Sequence, residues 1–247
     1  MHSRLRQTRN SHGFSLVELA IVLVILGLLI GGILAGRSLI RASELRAVSS
    51  DISRYTASLY AFRDKYFALP GDFTLAKSVW SSCLDQTNNP CNGDGSGRID
   101  YDVNCSLTST RNLETFRAWQ HLAYAGLVEG SYDTALHRSC FGASATAVPG
   151  SNIPQLRIQN TGIMLLYSST YQRHIYNIGA VYSNALHASF LTPADAWNLD
   201  TKLDDGIANS GRFRAESGYP TFGGCSSGAN YTLTQSETRC KFSYLLD

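Results

Sequence analysis

Glu18 is the one charged residue in a nearly unbroken apolar run from Phe14 to Ala35. A charge inside a membrane-length apolar helix is expensive. Insertion scales put Asp, Lys or Arg at a helix centre at about 2.5–3.5 kcal/mol. It is tolerable when something pairs it. Hydrolysis of the Gly13–Phe14 bond would make Glu18 the fifth residue of the product and create an α-amine on Phe14. An amine on one chain can then meet the carboxylate of another. That is pairing chemistry rather than catalysis. An ordinary secretory signal places its apolar core before the cut. Here the candidate cut precedes the core, so the apolar helix stays in the product. A plain single-pass anchor accounts for the run and for Arg4, Arg6 and Arg9 upstream, which favour a cytoplasmic leader. It leaves Glu18, and Gly13–Phe14 at that spacing, without an explanation.

The segment Gly13-Phe14-Ser15-Leu16-Val17-Glu18-Leu19 resembles the class III signal of type IV pilins and type II secretion pseudopilins, over about Ser11 to Arg41. The resemblance implies removal of leader 1–13 by a prepilin peptidase and methylation of the Phe14 amine. It implies residence in the bacterial inner membrane with the globular part periplasmic, then assembly with other pilin or pseudopilin subunits into a periplasmic or surface filament. The implied role is a structural subunit of a type IV pilus or type II secretion pseudopilus, not an enzyme. The alternative is a minor tip pilin, an adhesin or a substrate- or DNA-binding module, because removing 13 of 247 residues leaves a large 234-residue chain. Major type IV pilins usually carry a proline in mid-segment. Ala35 holds the corresponding place here, which suits a pseudopilin or minor pilin.

Other residues could carry chemistry beyond the helix. Cys83, Cys91, Cys105, Cys140, Cys225 and Cys240 all follow the apolar run, and an even number there suits disulfides in an oxidising compartment. Sequence neighbourhood favours Cys83–Cys91 and Cys225–Cys240, leaving Cys105–Cys140. Zinc is the rival, but there is no C-x₂-C pair and no nearby His pair. The loop Asn92-Gly93-Asp94-Gly95-Ser96-Gly97-Arg98-Ile99-Asp100 is a candidate calcium site. Asn92, Asp94 and Ser96 stand at positions one, three and five of an EF-hand-type loop, with Gly97, the Arg98 carbonyl, Ile99 and Asp100 following in order. Position twelve is Val103, so Asp102 or Glu114 would have to substitute. The competing reading is a Gly- and Asn-rich turn held by Cys91. Asp204 and Asp205 end a predicted helix, where two carboxylates oppose the dipole. Asp200 lies one turn earlier, and 200–211 resembles an acidic loop of pseudopilin-like proteins, some of which bind calcium. No cofactor is required otherwise. His121, His137, His174 and His187 fall at no metal spacing, and no HExxH, G-x-S-x-G or P-loop occurs.

These residues need elements to hold them. The proline-free stretch from Phe14 to about Leu69 predicts one long helix, ended by Pro70-Gly71. Residues 14–36 are its membrane or filament-core part, where Gly27/Gly31 and Gly32/Gly36 allow close backbone approach. Over 37–69, Leu45, Val48, Ile52, Tyr55, Leu59, Phe62, Tyr66 and Leu69 form one apolar stripe at steps of three and four. Residues 70–247 form the globular domain. Helices are predicted from Leu113 to Ala125, with Asn112 and Gly126 as caps, and from Pro193 to Leu203, with Thr192 as N-cap. Strands are predicted at 155–158, 162–167, 175–182, 212–215 and 240–245. The sum is α+β: a long helix on an antiparallel sheet, with inserted short helices and disulfide-tied loops. The formal charge of +2 belongs to the leader. Losing Arg4, Arg6 and Arg9 leaves 18 of the 21 bases against 19 acids, so nucleic acid is an unfavoured partner.

Overall fold

The computed structural model describes residues 15–83, 91–101, 114–132, 147–182, 185–220 and 223–247. Contacts divide the chain into two compact units, Met1–Ser43 and Glu44–Asp247. Helix α1, Leu16–Tyr66, runs through the boundary. Its first part is exposed on every side, with Leu16, Leu28 and Leu39 among the most open. A helix apolar all round has no single face to bury, so its surroundings must be apolar. It is long and apolar enough to cross a membrane.

In the second unit the helix changes character. Leu45, Val48, Ile52, Tyr55, Leu59 and Phe62 are buried, as the three-four spacing requires, while Tyr66 is only partly covered. The expected end near Leu69 is corrected to Tyr66. Phe67 takes a left-handed conformation at φ 53° and closes the helix with its amide on the Arg63 carbonyl. This stops the helix before Pro70 could disturb it. Phe62 anchors an aromatic cluster with Tyr66, Phe73, Trp80 and His121. Tyr55 meets Trp119 edge-on at 5.0 Å, and Trp119 stacks on Tyr176 of the sheet.

A short turn of helix, α2 (Ala76–Val79), precedes α3 (Glu114–Tyr124), and α4 spans Pro193–Leu203. Thr192 caps α4 by accepting the Asp195 amide, and Pro193 needs no amide partner at the first position. Gly126 follows α3 at φ 71°, as a left-handed C-cap should. The predicted N-cap Asn112 lies outside the described residues.

The strands are β1 (Thr161–Ser168), β2 (Arg173–Tyr182), β3 (Ala185–Ala188), β4 (Phe213–Ser217), β5 (Ser226–Ser227), β6 (Asn230–Tyr231) and β7 (Cys240–Leu245). The main sheet is antiparallel in the order β1-β2-β7-β4, with β3 also on β2. The C-terminal strand β7 is therefore inserted between β2 and β4. The strand expected at 155–158 is not formed. Its residues alternate exposed and buried, but Pro154 precedes them and Asn160 turns at φ 58°, so only the bridge Gln155–Gly162 remains. The sheet's outer edges are engaged by chain. Ile163 and Tyr167 of β1 donate to the Pro154 and Ile99 carbonyls, and Ala215 of β4 donates to Ala208. Such covering blunts strand-to-strand aggregation. Cys83 is bonded to Cys91 and Cys225 to Cys240, with Cα separations of 5.6 and 5.0 Å. Cys105 and Cys140 lie outside the described residues.

Candidate functional site

The helix start is built as a capping box. Ser15 precedes α1 and its Oγ accepts the Val17 amide at 3.3 Å. Glu18 reaches back, and its Oε2 accepts the Ser15 amide at 2.9 Å. This is the reciprocal Ser-x-x-Glu arrangement that satisfies orphan amides at a helix N-terminus. Glu18 therefore has an intrachain partner, which sequence spacing alone could have suggested. The positive end of the helix dipole favours a carboxylate at the same place. Gly13 and Phe14 lie outside the described residues. Residues 8–34 match the family model of the prokaryotic N-terminal methylation motif. The chain carries the type IV pilin and pseudopilin signal. No curated protein and no solved structure matches the chain significantly. The signal and the long apolar helix together suit membrane anchoring before assembly, and they point to a structural, pilin-like subunit.

The loop predicted for calcium is organised in a different way. Asp72, in the turn after α1, accepts the Ser96 amide on Oδ1 and the Gly97 amide on Oδ2, each at 2.9 Å. Glu114, opening α3, accepts the Asp94 and Asp100 amides at 3.1 and 3.0 Å. His174 accepts the Ile99 amide, and the Phe73 and Asp72 carbonyls take Gly93 and Gly95. The amides of 93–97, 99 and 100 are thus all engaged, mostly on carboxylates. A backbone curled so that successive amides face one anion is a nest, the electrostatic opposite of a cation cage. Two close approaches make it possible. A Cβ on Gly93 would fall 2.2 Å from the Asp72 backbone, and one on Gly71 2.3 Å from the Glu114 carbonyl.

Of the predicted ligands, Asp94 comes within 4.8 Å of oxygens from Asp72 and Glu114. Asn92 Oδ1 accepts the Lys77 amide, Ser96 Oγ donates to the Arg98 carbonyl, and Asp100 enters through its amide. Arg98 points its guanidinium over the Tyr167 ring. Asp72 is the member that sequence spacing could not supply, because it lies twenty residues before the loop. Asp102 lies outside the described residues. Burial pushes the Glu114 carboxyl up to about 7, against the pull of its two amide donors. Burial also raises Asp72.

The second acidic cluster is Asp200, Asp204 and Asp205, with one oxygen from each within 4.8 Å. Asp204 Oδ2 accepts the Phe213 amide at 3.0 Å and the Arg212 amide, tying the end of α4 to the start of β4. Asp205 accepts the Ile207 amide and the Ser210 hydroxyl. Asp200 is fully buried and its Oδ2 accepts the Tyr231 hydroxyl at 2.7 Å. Its Oδ1 makes no close hydrogen bond among the described residues, although the Gly206 amide lies near enough to the carboxylate to oppose the upward shift. Burial, ahead of the neighbouring acids, raises Asp200 to about 6.

His121 and His174 hold backbone in place. His121 is fully buried; Nδ1 accepts the Gly71 amide, and Nε2 sits 2.9 Å from the Cys91 carbonyl. This pair of partners requires the neutral ring with its proton on Nε2. Burial holds His121 down to about 4, and does the same for His174. His187 stands on β3, and His137 lies outside the described residues.

Proposed function

We propose that the chain is a pilin-like structural subunit, cut by a prepilin peptidase between Gly13 and Phe14 and methylated on the new amine. The product waits in the inner membrane with its globular part in the periplasm. It then enters a type IV pilus or type II secretion filament alongside other subunits. The observation that carries this reading is the methylation motif over 8–34, with Glu18 set at the start of its apolar helix. Mass spectrometry of protein made with a prepilin peptidase should find an N-terminal, methylated Phe14. A product starting at Met1, or beyond the apolar run, overturns the reading. Immunolabelling of sheared filaments then separates a repeating subunit, labelled along the length, from a tip adhesin labelled at the ends.

Calcium belongs in this proposal at Asp200, Asp204 and Asp205 rather than at 92–100. A buried carboxylate oxygen without a close donor is costly, and a hard cation held with Asp204 and Asp205 would relieve it. The amides converging on Asp72 and Glu114 already perform that service for the other loop. Millimolar calcium should raise the melting temperature of the full chain in detergent, and Asp205→Ala should remove the rise. Saturation at a hundred times the dissociation constant is worth about 2.7 kcal/mol. A rise that survives Asp205→Ala but is lost in Asp94→Ala would move the ion to the 92–100 loop.

A further inference from the structure

We draw no further inference here: the strongest candidate, the carboxylate cluster of Asp72, Asp94 and Glu114 beneath the 91–101 loop, is an acidic cluster already engaged by backbone amides, and no second observation ties it to a ligand.

Discussion

Replacing Glu18 by glutamine separates two tasks that alanine removes together. Within one chain, Glu18 accepts the Ser15 amide at 2.9 Å and completes the capping box. Losing a helix cap costs about 0.5–2 kcal/mol. Between chains, the proposed task is to pair with the Phe14 amine of a neighbour once apolar helices exclude water. Breaking a buried ion pair costs about 3–5 kcal/mol, because the surviving charge is left uncompensated. At about 1.4 kcal/mol per factor of ten, the first task is worth roughly 2- to 30-fold in an equilibrium and the second roughly 10²- to 10⁴-fold. Glutamine keeps an oxygen that can accept the Ser15 amide, and it is accepted at this place in capping boxes. It has no charge to offer an amine. Glu18→Gln should therefore be inserted and cleaved like the parent, yet be nearly as depleted from filaments as Glu18→Ala. Glu18→Asp should be partly defective, since the shorter side chain must stretch. Ser15→Ala, which removes only the hydroxyl cap on Val17, should stay within about the smaller range. The assay is the ratio of each variant in sheared filaments to that in the membrane, with processing checked by mass. Parental incorporation of Glu18→Gln would refute the intersubunit pair and leave capping as the whole role of Glu18.

Two further outcomes test the loop. The Glu114 carboxyl moves from 4.5 to about 7 on folding, so the folded chain holds its proton more tightly. Stability from this group is fully present below pH 4.5 and is lost as pH rises through 7. The loss is at most about 3 kcal/mol and should show in urea titrations as a declining difference between the parent and Glu114→Gln. A difference that does not change from pH 4.5 to 8 would mean the carboxyl titrates normally. Gly97→Ala should cost only the left-handed backbone term of about 1–2 kcal/mol, because φ is 77° and open space surrounds the site. Gly71→Ala, at φ 89° and against the Glu114 carbonyl, should lose about 1–3 kcal/mol more by overpacking, and equal melting temperatures for the two would dismiss the close approach.

Periodicity made the helices readable from the chain. Residues 45, 48, 52, 55, 59 and 62 step by three and four, and all six are buried in the fold. Helix α4 was readable from both ends of its first turn, since Thr-Pro supplies a cap and a residue that needs no amide donor partner. Strand β3 was not. Ala185-Leu186-His187-Ala188 has no alternation and no β-branched residue, and it is a strand because it lies beside β2. The hairpin β5–β6 has two serines on one side, Asn230 and the buried Tyr231 on the other, and little but the Gly228 turn to announce it. The insertion of β7 between β2 and β4 is a long-range pairing, which local pattern does not encode.

The 91–101 loop shows how one residue spacing can serve two opposite kinds of site. Its oxygen-bearing side chains stand at 92, 94, 96 and 100, with a backbone carbonyl at 98, which is the pattern a cation loop needs. The glycines between them also free the backbone to turn its amides inward, and that needs an anion. Which of the two is built depends on what the rest of the chain brings beneath the loop. Phe67 closes α1, and the turn through Pro70 and Gly71 brings Asp72 under Ser96 and Gly97, while Glu114 begins α3 under Asp94 and Asp100. The buried His121 pins Gly71 to that position through its Nδ1, and its other nitrogen meets the carbonyl of Cys91. A disulfide from Cys91 to Cys83 then fixes the loop's entry. What lies beneath the loop is thus set jointly by the turn after the long helix and by the start of α3. Phe73, directly after the same turn, joins the aromatic cluster on Phe62. The amphipathic half of α1 and the nest are therefore one packed structure, in which loosening either the stripe or the carboxylates exposes the other.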